Sequence, residues 1–348
     1  MKILAIETSA DDTAAAVVQL TAQGFGQILG QAIYTQAAEH QKYGGIVPEI
    51  ASRAHQAHLK RLVGESLQQA GLGVQEIDAI AATTGPGLTT ALAMGASFGK
   101  TLALALGKPF LATNHIEGHA LSPLLTENLA EDQTLAEAFL TRQEPYVLLL
   151  ITGGHTQLIL VQAVGNYQLL GSTADDAVGE CFDKTGAMLN LPHPAGPKIE
   201  ILAVSGNPLA LNFPHPRTAN ALDFSFSGLK TAVRQAVESQ VHLPADIAAS
   251  LQHTAAQLLA EKLKAALQHT GAKHAVVAGG VAANGTIRAA LQHLCAAAGA
   301  SFTAPPLALC TDNAAMIGYA AGLRQLHGLP DGGGLAAPLH PRWALNSL

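Results

Sequence analysis

The sequence predicts an α/β protein of two similar lobes, and three observations predict it. One plan occurs twice: a hairpin with a small polar turn, then a strand, a glycine turn and a helix. With 348 residues the chain is too long for one small core and suits two domains. Glycine is frequent (34 residues) and aromatics are scarce (4%), a composition that builds sheets and tight turns and meets ligands with backbone. Such a duplication implies a cleft that suits a nucleotide, with phosphates on glycine turns and helix starts.

Lys2 to Glu7 reads as a strand and Thr13 to Leu20 as its return. The turn between them, Thr8-Ser9-Ala10-Asp11-Asp12, offers hydroxyls and N–H groups to phosphate and two acids to a metal, although a solvated turn is the plainer reading. Gly30 to Thr35 is another strand, and Ile50 to Gln69 is helical by its apolar spacing. Arg53, His55, His58, Lys60 and Arg61 on that helix read as a solvated face or as a basic contact surface. Ile77 to Ala82 runs as a strand into Thr83-Thr84-Gly85-Pro86-Gly87-Leu88 and a helix to about Lys100; a further helix-then-strand run ends at Ala112.

The second copy begins with strand Tyr146 to Ile151, turn Thr152-Gly153-Gly154-His155-Thr156 and return Gln157 to Val161. It continues with strand His274 to Ala278, the turn Gly279 to Gly285 and a helix from about Thr286. Between them, Asp183 and Glu200 lie beside glycines, as a ribose site requires, or are ordinary helix-surface charges. Ser225 and Ser227 lack a histidine–acid partner at a recognisable spacing and read as structural. Asp312 reads as an N-cap or first-turn residue, and also suits a third metal ligand. The run Asp331 to Gly334 reads as a flexible linker. The expected division is 1–113, 114–325 and a tail, 326–348, that packs back on the first lobe.

Composition limits the function. Net charge is −6, whereas general nucleic-acid binders carry a basic excess, so any RNA contact is local or shared with a partner. Hydrophobic content of 49% against 13% charged argues for a compact protein. Three cysteines without CxxC spacing point to a reducing cytoplasm. No signal peptide or membrane span is expected.

The chemistry centres on Asn114-His115-Ile116-Glu117-Gly118-His119. Histidines at i and i+4 share a helix face and can hold one metal ion if a third ligand arrives. With 15 histidines in the chain, such a pair also arises by chance. Glu117 lies roughly 200° round the helix from His115, so the stretch is not a zincin motif.

Taken in order, Ile6-Glu7-Thr8-Ser9, Tyr43 to Glu49, Gly85-Pro86-Gly87-Leu88, the His115–His119 stretch, Thr152 to Gln157, Phe182-Asp183-Lys184-Thr185, Phe224 to Thr231, Gly279 to Asn284 and Thr311 to Gly318 resemble the TsaD/Gcp (YgjD) family of tRNA threonylcarbamoyl-adenosine transferases. The resemblance runs from residue 3 to about 320. It implies an actin-like ATPase (ASKHA) fold with two duplicated ribonuclease-H-like lobes. It implies transfer of threonylcarbamoyl from threonylcarbamoyl-AMP to the N6 amine of adenosine 37 in tRNAs reading codons that begin with adenine. It implies a metal, iron first and zinc second, on His115, His119 and Asp312. Donor binding falls on Leu150, Ile151, Thr152, Gly153, Gly154, Asp183, Gly196, Glu200 and Asn284. The implied partners are tRNA, a TsaB-like paralogue and a TsaE-like ATPase.

Ala10 and Asp12 depart from the family's Cys and Glu at the first hairpin, and the segment 120–145, with Glu127, Glu131, Asp132 and Glu137, is longer than usual and is expected as a surface loop or short helix. The backbone N–H groups of Thr152, Gly153 and Gly154 are expected to hold developing charge. No general base is assigned; Asp11 is a candidate by position alone. A metallopeptidase, a metabolite kinase or ATPase and a silent scaffold are the competing classes.

Overall fold

The computed structural model describes residues 1–125, 133–216 and 218–345; Glu127, Glu131 and Asp132 lie outside the described residues. The chain forms two compact units, one of 1–144, 162–167 and 312–348, the other of 145–161 and 168–311.

In the first unit, β1 (Lys2–Glu7), β2 (Asp12–Leu20), β3 (Gly26–Thr35), β4 (Ala79–Gly85) and β5 (Phe110–Asn114) form a sheet in the order β3-β2-β1-β4-β5. β1 runs antiparallel to β2 and parallel to β4, so the sheet is a meander extended by parallel strands. Ile3 to Ile6 are fully buried, as a strand covered on both faces requires. Leu4 and Ile6 join Leu59, Leu62 and Phe110 in one core. Ile3 and Ala5 point the other way, towards the helix Ala314–Leu326. There a Cβ on Gly318 would lie 2.9 Å from Ala5 Cβ, and one on Gly322 2.6 Å from Leu20, so both glycines let the helix lie against the sheet.

A second sheet repeats the plan with β6 (Tyr146–Ile151), β7 (Thr156–Ala163), β8 (Asn166–Ser172), β9 (His274–Ala278) and β10 (Ser301–Thr303), in the order β10-β9-β6-β7-β8. Again the first strand is antiparallel to the second (Ile151 opposite Thr156) and parallel to the fourth (Leu150 opposite Ala278). Val147, Leu149 and Ile151 pack with Phe182, Phe224, Phe226 and Leu259.

Some expectations shift. The helices His115–Leu121 and Ala314–Leu326 fall in the first unit rather than beyond a boundary at 113/114, because Gly118 packs on Ile317 and Gly318 on Ala5. The tail lies on that unit: the His340 N–H donates to Thr84 O, and Ala337 is buried. Asp331 to Gly334 is a built turn rather than a flexible linker; Asp331 O accepts from the Ala112 N–H, and Gly332, Gly333 and Gly334 all take positive φ. Residues 134–141 form helical turns that bury Leu135, Ala136, Ala138 and Phe139, leaving Glu137 exposed.

Candidate metal centre and donor-site residues

The parallel strands β1, β4 and β5 end together, where α/β sheets place their sites. At the end of β5, Asn114 turns the chain into a helix by accepting from the Ile116 and Glu117 N–H groups (2.8 and 3.1 Å). That helix presents His115 and His119 on one face. Asp312 meets them: its Oδ1 lies 3.4 Å from His115 Nε2 and 3.1 Å from His119 Nε2. The rings are perpendicular, with centroids 4.8 Å apart. Asp312 is not spent as a helix cap, because Asn313 Oδ1 accepts from the Met316 N–H (3.0 Å). The triad expected from the sequence is therefore assembled within one unit.

The His115 ring is held from behind by groups the sequence reading missed. Its Nδ1 lies 3.1 Å from Glu7 Oε2 and 3.1 Å from Ser9 Oγ. Glu7 Oε2 also accepts from the Thr83 hydroxyl, and its Oε1 from the Ser9 N–H. Burial opposes charge on His115, but the Asp312 and Glu7 carboxylates outweigh it and raise its pKa well above the usual value. Burial likewise opposes charge on Asp312 and Glu7, yet the histidine contacts hold Asp312 well below, and Glu7 below, the ordinary carboxylate range.

A nitrogen, nitrogen, oxygen set suits a divalent transition metal. The arrangement passes a stricter test. With its Nδ1 proton accepted by Glu7, His115 would lose the Nε2 proton when a cation displaces it, and so reach the tautomer a metal ligand needs. Lone-pair atoms from three side chains then face one another within 4.8 Å, and only protons or a cation can relieve that.

Asp12, also in this unit, is pushed up to about 7 by burial, with Asp312 and Asp11 adding to it, and its Oδ1 has no hydrogen-bond partner among the described residues. His55 is not on a solvated face: it is buried, with Nδ1 2.8 Å from Thr13 Oγ1 and Nε2 3.1 Å from Ala10 O. The first glycine turn is filled from within, since a Cβ on Gly85 would strike His340 O and one on Gly87 would lie 2.6 Å from Ser9 O.

The residues expected to bind the donor all lie in the second unit. Leu150 and Ile151 are fully buried strand residues, so only their backbone can meet a ligand. Gly153 and Gly154 are exposed, and a Cβ on either would touch nothing within 4 Å. The expected row of three free N–H groups is corrected to one. Thr152 N–H donates to His155 O (2.8 Å) and Gly154 N–H to Thr152 Oγ1 (3.2 Å), leaving Gly153 N–H as the one of the three with no partner among the described residues. Two neighbours close on this turn: a Cβ on Gly179 would sit 2.6 Å from Thr152 O, and one on Gly279, at φ +97°, 2.5 Å from Ile151 O.

Asp183, Gly196, Glu200 and Asn284 are linked through the helix Gly196–Ala203. Asp183 Oδ1 accepts from the Ala195 N–H (2.7 Å) at its start, and Glu200 Oε1, one turn in, accepts from the Gly285 N–H (2.7 Å). Asn284 is buried and caps the helix Gly285–Ala298 by accepting from the Ile287 N–H, while its amide donates to Gln252 Oε1 (2.8 Å). Ser225 and Ser227 both donate to Asp175.

A model of the family described as tRNA N6-adenosine threonylcarbamoyltransferase matches residues 27–319. Proteins of that name from Sinorhizobium medicae (strain WSM419) and Brucella anthropi are 50% and 49% identical over 359 and 358 aligned positions, covering 100% and 99% of this chain and 96% of each relative. The chain belongs to the tRNA N6-adenosine threonylcarbamoyltransferase family. As a member it is an acyltransferase that forms threonylcarbamoyl-adenosine in tRNA. Solved structures extend the likeness of fold. HypF from T. kodakarensis superposes with a TM-score of 0.62 at 15% identity, covering 95% of this chain and 48% of that one. Component A of the Acidaminococcus fermentans (R)-2-hydroxyglutaryl-CoA dehydratase gives 0.53 at 15%, covering 94% and 98%. The fold is thus the actin-like ATPase type expected from the sequence.

Proposed function

We propose that this threonylcarbamoyltransferase works with one metal ion, iron first and zinc as the alternative, held by His115, His119 and Asp312. Its donor is threonylcarbamoyl-AMP, and its acceptor is adenosine 37 of tRNAs reading codons that begin with adenine. The observation that carries the metal reading is the convergence of both Nε2 atoms on Asp312 Oδ1 with Glu7 behind His115. When bound, such an ion polarises a donor oxygen and offsets charge on a leaving phosphate.

The protein's own residues supply binding and orientation. Gly153 N–H is the free backbone donor for developing charge. Asp183, Gly196 and Glu200 fix the adenosine part of the donor, and so the angle at which the amine approaches its carbonyl. Leu150, Ile151 and Thr152 contribute backbone, and Asn284 holds the start of its helix in place. The acceptor amine is weakly basic and AMP is a good leaving group, so positioning carries most of the burden.

The net charge of −6 favours tRNA docking shared with a TsaB-like paralogue and a TsaE-like ATPase in the cytoplasm. No helix among the described residues is long and apolar enough to cross a membrane.

The test combines the purified chain with threonylcarbamoyl-AMP, partners and unmodified tRNA, and reads the nucleoside by mass spectrometry beside the metal content by elemental analysis. One metal per chain and modified adenosine that disappears on chelation are expected. Full turnover by metal-stripped protein overturns the metal assignment.

A further inference from the structure

The helix bearing the two histidines is fastened from its opposite side. Glu117 lies about 200° from each histidine around the helix axis and is completely buried. Its Oε1 accepts from the Tyr167 hydroxyl (2.8 Å) and from the Arg324 guanidinium (3.0 Å). Arg324 sits in the last turn of the helix Ala314–Leu326, which starts two residues after Asp312. A second Arg324 nitrogen donates to Pro330 O (3.2 Å), so the guanidinium is itself anchored. Between the helices Gly118 allows close approach, since a Cβ there would lie 2.9 Å from Ile317. The His115–Leu121 helix is therefore joined to the segment Asp312–Leu326 on both of its sides, by His115 and His119 with Asp312 and by Glu117 with Arg324.

We propose that Glu117 and Arg324 are positioning residues whose ion pair sets the rotation of the His115–Leu121 helix, and with it the distances from both imidazoles to Asp312. This rests on the metal reading of the triad. The leverage decides the matter. A ring nitrogen about 6 Å from the helix axis moves by about 1 Å for a 10° turn, whereas metal–ligand distances tolerate about 0.2 Å. A helix of seven residues has little rigidity of its own and needs an external stop.

The test uses the full chain with Glu117→Gln, Arg324→Lys and the double variant Glu117→Gln/Arg324→Gln. Glutamine is sterically acceptable: Glu117 Oε2 has no hydrogen-bond partner among the described residues, and Glu117 lines a cavity of about 280 Å³ with Arg324, Leu329 and Trp343. The double variant leaves no unpaired buried charge, so it keeps the experiment decisive if a single variant does not fold. Three quantities are read: metal affinity by competition with a chromophoric chelator, the absorption of the cobalt(II) form, and the imidazole nitrogen NMR signals of metal-free protein.

Glu117→Gln and the double variant should lose at least about tenfold in affinity and show altered cobalt and imidazole spectra, while Arg324→Lys stays within about threefold of the parent. Wild-type affinity and spectra in the double variant overturn the proposal. If the parent itself binds no metal, the metal reading fails, and the imidazole signals alone decide this one: unchanged signals in the double variant overturn it, displaced signals support it.

Discussion

The turn after β1 and the turn after β6 occupy the same place in two copies of one sheet, yet they are built in opposite ways. The first is tied down. Thr8 Oγ1 donates to Ala91 O and accepts from the Gly95 N–H, Ser9 N–H donates to Glu7, and Glu7 reaches His115. The second is nearly self-contained: Thr152 Oγ1 accepts from the Gly154 and His155 N–H groups, and the two glycines stand open. One copy uses its turn to brace the ring of His115; the other keeps its turn small and accessible. Duplicated topology fixes where a site sits, and the side chains beside it decide what the site does.

That contrast can be broken most severely at its braced end. His115→Ala should remove stoichiometric metal and lower turnover by more than about 100-fold, beyond the range typical of supporting residues, as read by elemental analysis and nucleoside yield. Unchanged metal content would show that the braced turn serves another purpose.

Next comes the acid at the end of the same turn. Asp12 ionises at 3.8 in its unperturbed state and at about 7 in the folded chain. Between those values the folded state binds more protons than the unfolded one, so stability falls as pH rises, and the full penalty is present above pH 7. Asp12→Asn abolishes it. In metal-free protein the variant should gain up to about 4 kcal/mol over the parent above pH 7 and nothing below pH 4, measured by urea unfolding across pH. An equal gain at both ends of that range would refute the burial account of Asp12.

The mildest test compares glycines. A methyl on Gly95 would lie 2.3 Å from Thr8 Oγ1, so Gly95→Ala should cost about 1–3 kcal/mol. Gly154→Ala meets nothing and should change stability by less than about 0.5 kcal/mol, while slowing turnover if the turn receives the donor. Thermal melts and nucleoside assays of the pair measure both.

Much of this was legible in the chain. Lys2–Glu7, Tyr146–Ile151 and His274–Ala278 are strands with the bounds their apolar runs indicate. β8 and β10 were not legible: one alternates irregularly between exposed and buried positions, and the other is three residues at a sheet edge. His115 and His119 could be read together from their spacing, and Asp312 joined them through the resemblance. Glu7 could not, since an acid ending a strand faces histidine only once β1 lies beside β4 and β4 beside β5, an order set by long-range pairing. The signal available was an acid closing an otherwise apolar strand. His55 was readable as buried, because it continues the stripe of Leu59 and Leu62. The amides of Thr152 and Gly154 were misread because a turn's internal hydrogen bonds depend on dihedral angles that residue types do not specify.

The first unit takes its sheet from residues 2–114 but its closing helix from 314–326. On the ribosome, therefore, β1 and β2 emerge long before the surface that will cover Ile3 and Ala5. The two imidazoles likewise wait nearly two hundred codons for their carboxylate. The three side chains can meet only in the finished polypeptide, and for most of its synthesis the nascent chain carries one apolar flank of the sheet uncovered.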